Sequence, residues 1–147
     1  EDRGRVVATE PYLDTYRQTQ PGLTVIFHHD GDISRVSRPV ALFCYRMVQE
    51  GLTNIARHAQ AHTVTIGLHV LPSKLTLSVR DDGIGFSADR AERARLDNHL
   101  GLVSMRERTD VLNGTFAIDS HPGKGTTLTI SLPLYLSEEE EHEHSLG

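Results

Sequence analysis

Two stretches of strict alternation, residues 62–71 (HTVTIGLHVL) and 74–81 (KLTLSVRD), constrain the fold more than anything else in the chain. Val64, Ile66, Leu68 and Val70 share one face of the first, and Leu75, Leu77 and Val79 share one face of the second. A period of two marks strands with one buried and one wet side. Only Pro72 and Ser73 lie between the two runs, so an antiparallel hairpin is expected, and its apolar face needs a covering layer.

The longest helical pattern, Val40 to Ala61, offers that cover. At about 100° per residue, Ala41, Cys44, Tyr45, Val48, Leu52, Ile55 and Ala59 form one apolar stripe. On the other side Glu50, Asn54, Arg57 and His58 follow at i, i+4, i+7 and i+8. Phe43, Met47 and Gly51 accompany them and do not belong on a purely solvated face. The row reads either as a wet surface or as a pocket wall.

Around this pair the chain alternates further. Tyr12, Leu13 and Tyr16 give a short helical face over Glu10 to Thr19, closed by Pro21-Gly22. Leu23 to His29 reads as a strand, and Pro39 suits the first turn of the long helix. Leu102, Met105, Thr109 and Leu112 space a second long-range helix face that ends at Asn113-Gly114. Two strands follow, Thr115 to Ser120 and Thr126 to Leu134, joined by HPGKG. Helices and strands in mixed order with a hairpin predict an α+β fold. Its form is a two-layer sandwich, a mixed and mostly antiparallel sheet covered by about three helices. Residues 1–9 are expected to be disordered or a linker remnant, 10–136 one domain, and 137–147 an acidic disordered tail.

The totals exclude several function classes. With 147 residues and 37% hydrophobic content the chain suits one core. No run of about 18 apolar residues or signal-like start is present, so no membrane contact is expected. The lone Cys44 excludes internal disulfides and favours a cytoplasmic setting. The net charge of −5 argues against a nucleic-acid partner, although Glu138 to Glu141 and Glu143 supply much of it. Nine histidines invite a metal reading. Yet His28, His62, His69 and His121 are scattered without zinc-ligand spacing, and His142 and His144 sit in the tail.

Parity locates the chemistry. One step beyond Leu75, Leu77 and Val79, the inward position is Asp81, a carboxylate at a strand end that needs a partner. Gly83 and Gly85 follow in DDGIGF and open the backbone to close approach. Taken alone this is more often a capping aspartate. In the last strand Thr126 shares the side of Leu128, Ile130 and Leu132, again beside glycines (GKGT). Two inward hydrogen-bonding groups at strand ends read as a binding site, suited to the exocyclic amine of a purine. Gly101 would leave the next helix's first N–H groups free for phosphate. Asn54 offers a hard oxygen for Mg²⁺, Arg57 and His58 offer phosphate partners, and Glu50 could orient or deprotonate an attacking group.

In order, E-x-x-x-N-x-x-R-H-A (Glu50 to Ala59), D-x-G-x-G-F (Asp81 to Phe86), L-G-L-x-x-M-x-E-R (Leu100 to Arg108) and G-x-G-T-T-x-x-x-x-L-P (Gly123 to Pro133) resemble the ATP-binding catalytic domain of bacterial sensor histidine kinases. The first three correspond to its N, G1 and G2 boxes. The wider group sharing this Bergerat-type fold includes gyrase, Hsp90 and MutL. R-H-A and M-R-E-R look most like the nitrate-sensor-like subfamily. The resemblance implies ATP and Mg²⁺, with Asn54 on the metal, Asp81 on the adenine amine and Gly83 and Gly85 shaping the pocket. It puts Gly101 and Leu102 under the phosphates, Thr126 behind Asp81, residues 86–100 in a mobile lid and Glu50 as candidate base. It also implies γ-phosphoryl transfer to a His on a separate dimerisation domain, with a response regulator downstream.

Two departures stand out. His99 occupies the first glycine position of the second box, and no phosphoacceptor helix with an H-D or H-E pair is visible, since His28-His29-Asp30 falls in a strand. The alternatives are a nucleotide-binding regulatory module or anti-sigma-type serine kinase of the same fold, and a gyrase- or Hsp90-type ATPase.

Overall fold

A computed structural model describes residues 9–55, 60–86 and 101–135. Its elements are α1 (Thr9–Thr19), β1 (Thr24–Gly31), a 3-10 turn (Ile33–Arg35), α2 (Arg38–Asn54), β2 (Thr63–Val70), β3 (Lys74–Asp81), α3 (Leu102–Val111), β4 (Thr115–His121) and β5 (Gly125–Pro133). The strands form one sheet in the order β1-β2-β3-β5-β4. β1 pairs parallel with β2, and the other neighbours are antiparallel. The expected α+β sandwich, mixed and mostly antiparallel, is the fold observed.

The alternation in the hairpin becomes the core. Val64, Ile66, Leu68 and Val70 of β2 and Leu75, Leu77 and Val79 of β3 are all buried, as are Leu128, Ile130 and Leu132 of β5. Against them lie Ala41, Cys44, Met47, Val48 and Leu52 of α2. Each such aliphatic side chain contributes about 1.5–3 kcal/mol by leaving water. Phe43, Met47 and Gly51, out of place for a wet face, are buried as well. Gly51 explains why: a methyl built there would lie 3.5 Å from a Val79 methyl, so α2 rests directly on β3 at that point. Burial pushes the Cys44 thiol up to about 12, which leaves it an inert packing group.

Helix α2 begins where Ser37 accepts the Val40 N–H at 3.4 Å, with Pro39 in the first turn. The sequence pattern carries helical spacing on to Ala61; the α-helix is described as far as Asn54, and residues 56–59 lie outside the described residues. Ile55 remains αR and donates to the Gly51 and Leu52 carbonyls. The Leu52 carbonyl gains a second donor, the Tyr16 hydroxyl of α1 at 3.0 Å, which ties the last turn of α2 to α1. Burial raises the Tyr16 phenol, with Tyr12 adding to the effect, so it stays a donor across the physiological range. The Tyr16→Phe variant is expected to lose about 1 kcal/mol of stability, read as a lower urea midpoint at unchanged slope.

α1 is fixed further by Arg17 in its last turn. Its Nε and Nη2 reach the Val25 carbonyl at 3.2 and 2.8 Å while Nη1 holds Asp14 at 2.8 Å. Tyr12 meets Tyr45 edge-on, 5.7 Å between centroids, a favourable ring geometry. No helix of the described residues is long and apolar enough to cross a membrane.

Candidate functional site

The antiparallel register sets Asp81 opposite Thr126, and Thr126 opposite Ser120. One transverse row therefore crosses three strand ends on the side where the same strands bury Val79, Leu128 and Ile118's neighbours in the core. Asp81 is 6% exposed and Ser120 5%, while Thr126 is half-buried. Buried polar groups at this depth require hydrogen bonds, and each has them.

Asp81 Oδ1 accepts the Gly83 N–H at 2.8 Å. Burial raises its carboxyl above the ordinary range; the Gly83 and Thr126 N–H groups pull it back in part, and the neighbouring Asp82 carboxylate pushes it up. Asp82 points elsewhere. Its Oδ1 accepts the His62 and Thr63 N–H groups at 2.8 and 2.9 Å, and those bonds hold its carboxyl below the ordinary value. Asp82 thus ties the start of β2 to the end of β3, leaving Asp81 alone in the row.

Ser120 is the residue that sequence reasoning missed. Its Oγ accepts the Phe86 N–H at 2.9 Å, donates to the Gly125 carbonyl at 3.2 Å, and lies 2.7 Å from Thr126 Oγ1. A hydroxyl has one proton. With that proton on Gly125, Ser120 accepts from Thr126, and Thr126 Oγ1 keeps its own lone pairs for another group. The signal was available: Phe116 and Ile118 alternate toward the core, and Ser120 is the next position in that series.

The two glycine-rich turns are laced together. Gly123 N–H donates to the Ile84 carbonyl at 2.7 Å. Gly85 (φ +62°) and Gly125 (φ +79°) both occupy left-handed backbone, and a Cβ on either would come within 2.1 Å of a carbonyl oxygen, that of His121 or Asp81 respectively. Only glycine permits this approach. Gly83 is buried and serves as the Asp81 donor.

The other expected residues divide. α2 carries the chain back from the end of β1 to the start of the parallel β2, so it runs antiparallel to both and alongside β3. From the Gly51 contact with Val79, Asn54 is about 4.5 Å further along the helix axis and Asp81 about 7 Å further along the strand. Asn54, half-buried, therefore comes to the Asp81 end of the sheet, with the exposed Glu50 one turn behind it. The short turn after α3, in which Gly114 N–H reaches the Thr109 carbonyl at 3.0 Å, folds β4 back along the helix. Over lengths of about 15 Å each, this returns the α3 N-terminus to the Ser120 end. Gly101 forms that N-terminus in left-handed backbone (φ +69°) with no side-chain cap, and Leu102 behind it is buried. Arg57, His58 and the lid stretch 87–100 with His99 lie outside the described residues.

A one-acid, two-hydroxyl strand row beside glycine-opened turns, an uncapped helix N-terminus and an asparagine-bearing helix end is the arrangement that the four motifs imply. Residues 40–136 match the profile of the histidine kinase-, DNA gyrase B- and HSP90-like ATPase family. The chain belongs to that family. Two curated relatives give the same answer. The signal transduction histidine-protein kinase/phosphatase DegS of Brevibacillus brevis is 33% identical over 94% of this chain and 34% of its own length. The sensor histidine kinase LiaS of Bacillus subtilis (strain 168) is 33% identical over 97% of this chain and 38% of its own. The chain thus spans little more than a third of these relatives. In fold it is similar to the histidine kinase domain of the blue-light activated histidine kinase of Erythrobacter litoralis EL346. There the TM-score is 0.65 at 20% identity, covering 88% of this chain and 61% of that one.

Proposed function

We propose that this ATPase-family domain is the catalytic part of a two-component sensor histidine kinase of the nitrate-sensor-like subfamily. It binds ATP with Mg²⁺ and donates the γ-phosphoryl group to a histidine on a separate dimerisation domain, from which a response regulator draws it. The observation that carries the proposal is the pairing of Asp81 and Thr126 as two hydrogen-bond acceptors at one strand end. An exocyclic amine is a donor, so the pair favours adenine over guanine, whose corresponding position is a carbonyl.

Around the base, Gly83 and Gly85 shape the pocket. The N–H groups of Gly101 and Leu102 meet the phosphates at the α3 N-terminus, where the helix dipole also favours an anion. Arg57 and His58 add charge-assisted contacts. Asn54 fits Mg²⁺, a hard ion that keeps water and phosphate oxygens and needs few protein donors; when bound, the ion supplies neutralisation of the developing phosphate charge. Glu50, exposed on α2, orients the attacking imidazole of the incoming domain. Positioning supplies most of the rate. A kinase of this kind works on the cytoplasmic side, where ATP is.

Two measurements test the proposal. Competition titration with a fluorescent nucleotide should show ATP binding well ahead of GTP. Label from [γ-³²P]ATP should then pass to a supplied His-bearing helical domain of the same full-length protein, or of a close relative. Tight ATP binding without transfer would replace the kinase with the nucleotide-binding module; equal binding of GTP would overturn the assignment of Asp81.

A further inference from the structure

The sheet face turned away from the helices holds a second cluster that the ATP site does not use. On β1 and β2 that face carries His28, Asp30, Gly67 and His69, and the register sets His28 beside Gly67 and Asp30 beside His69. Gly67 is buried although no core residue covers it from this side; two imidazole rings do so, those of His28 and His69, with centroids 5.5 Å apart and planes at 48°. Measured from the position where a Gly67 Cβ would sit, His28 Cε1 is 2.9 Å away, Ser78 Oγ 3.0 Å and His69 Nε2 3.2 Å. Three strands thus direct two ring edges and a hydroxyl at one space that a glycine keeps open.

We propose that this space binds a divalent transition-metal ion of the Zn²⁺ or Cu²⁺ class through His28 and His69, with water and the Ser78 hydroxyl completing the shell. His69 Nδ1 lies 3.0 Å from Asp30 Oδ2. A carboxylate has no proton to give, so Nδ1 donates and the Nε2 lone pair points into the space above Gly67. A carboxylate behind a ligating histidine is the common outer partner of a metal-bound imidazole, fixing its tautomer and raising its basicity. Two imidazoles sharing one tetrahedral ion at about 2.0–2.1 Å hold their ring centroids roughly 5 Å apart, close to the 5.5 Å observed. Imidazole donors select zinc, copper or nickel over the Mg²⁺ of the nucleotide site.

Among the described residues no three His, Cys, Asp or Glu side chains converge as a metal cage. Two rings with an orienting carboxylate therefore make an open, exchangeable site. Linear spacing hid it because His28 and His69 meet only through the parallel β1–β2 pair.

The test uses the full chain, stripped with chelator and titrated with Zn²⁺ by calorimetry and with Cu²⁺ by electron paramagnetic resonance. One equivalent should bind, with coupling to two imidazole nitrogens. His28→Gln and His69→Gln should each weaken it at least about tenfold, and Asp30→Asn by about 10-fold or more. The His142→Ala/His144→Ala variant should leave it unchanged. Binding that survives the His28→Gln/His69→Gln double variant, loss confined to the tail variant, or no binding at all would each overturn the site. His28 and Asp30 are exposed and His69 is half-buried, and circular dichroism of the variants should match the parent.

Discussion

Asp81→Asn is expected to cut ATP affinity at least about 100-fold while leaving the fold intact. The amide oxygen can keep the Gly83 N–H bond made now at 2.8 Å, so the local turn survives. What changes is the second atom, which becomes an NH₂ donor facing the adenine amine, itself a donor. Losing a bond to a charged acceptor costs about 1.5–3 kcal/mol, and stranding a buried donor about 1–3 more. The lower end of that sum, about 2.5 kcal/mol, is already close to a hundredfold change in binding, and its middle lies well beyond one. The apo protein should respond in the opposite sense. Burial first, and Asp82 last, hold the Asp81 carboxyl above its ordinary value of 3.8 in spite of the Gly83 and Thr126 N–H groups. A carboxyl raised by folding lends stability that is complete below 3.8 and is lost as pH rises through the folded value. At neutral pH the ionised group therefore weighs against the empty fold, and Asp81→Asn should be at least as stable as the parent. Urea midpoints taken from pH 4 to pH 7 should show the parent losing ground to the variant as pH rises. A variant that unfolds at neutral pH, or that binds ATP within a few-fold of the parent, would remove Asp81 from the proposed role.

That trade between function and stability also marks what was readable in the sequence. Period-two alternation names a face, and one face is what a core needs. Val64 to Val70, Leu75 to Val79 and Leu128 to Leu132 therefore went where their spacing placed them. Continued one step, the same rule reached Asp81 and Thr126, whose strand ends lie side by side. It would have reached Ser120 too, had Phe116 and Ile118 been extended in the same way; their partial exposure reflects an edge strand and made the series faint. The Tyr16 contact with the last turn of α2 was not legible in either helix's spacing, because it depends on how two helices distant in sequence pack together. The meeting of His28 and His69 was illegible for a related reason. It depends on which strands are neighbours, and a parallel pair joined through a helix leaves no turn signal to announce its register.

Gly125→Ala should damage fold and site together, and its comparison with Gly123→Ala separates the two causes. Both glycines sit in left-handed backbone, at φ +79° and +76°. A methyl on Gly123 would meet nothing within 4 Å, whereas one on Gly125 would fall 2.1 Å from the Asp81 carbonyl oxygen and 3.0 Å from the Asp82 Cα. Gly123→Ala therefore carries only the left-handed strain, about 1 kcal/mol, and should keep its nucleotide. Gly125→Ala adds a collision with main chain that cannot rotate away. The ends of β3 and β5 must part where Asp81 faces Thr126, and the Ser120 bond to the Gly125 carbonyl is drawn out of line. A loss of roughly 2–4 kcal/mol follows from strain of this kind, seen as a fall in Tm of roughly 6–15 °C for a domain of this size. ATP binding should drop with it even at temperatures where the variant remains folded, because the two acceptors no longer point at one amine. Equal behaviour of the two variants would mean that close approach at Gly125 is dispensable and that left-handed backbone is the whole requirement for glycine in this turn.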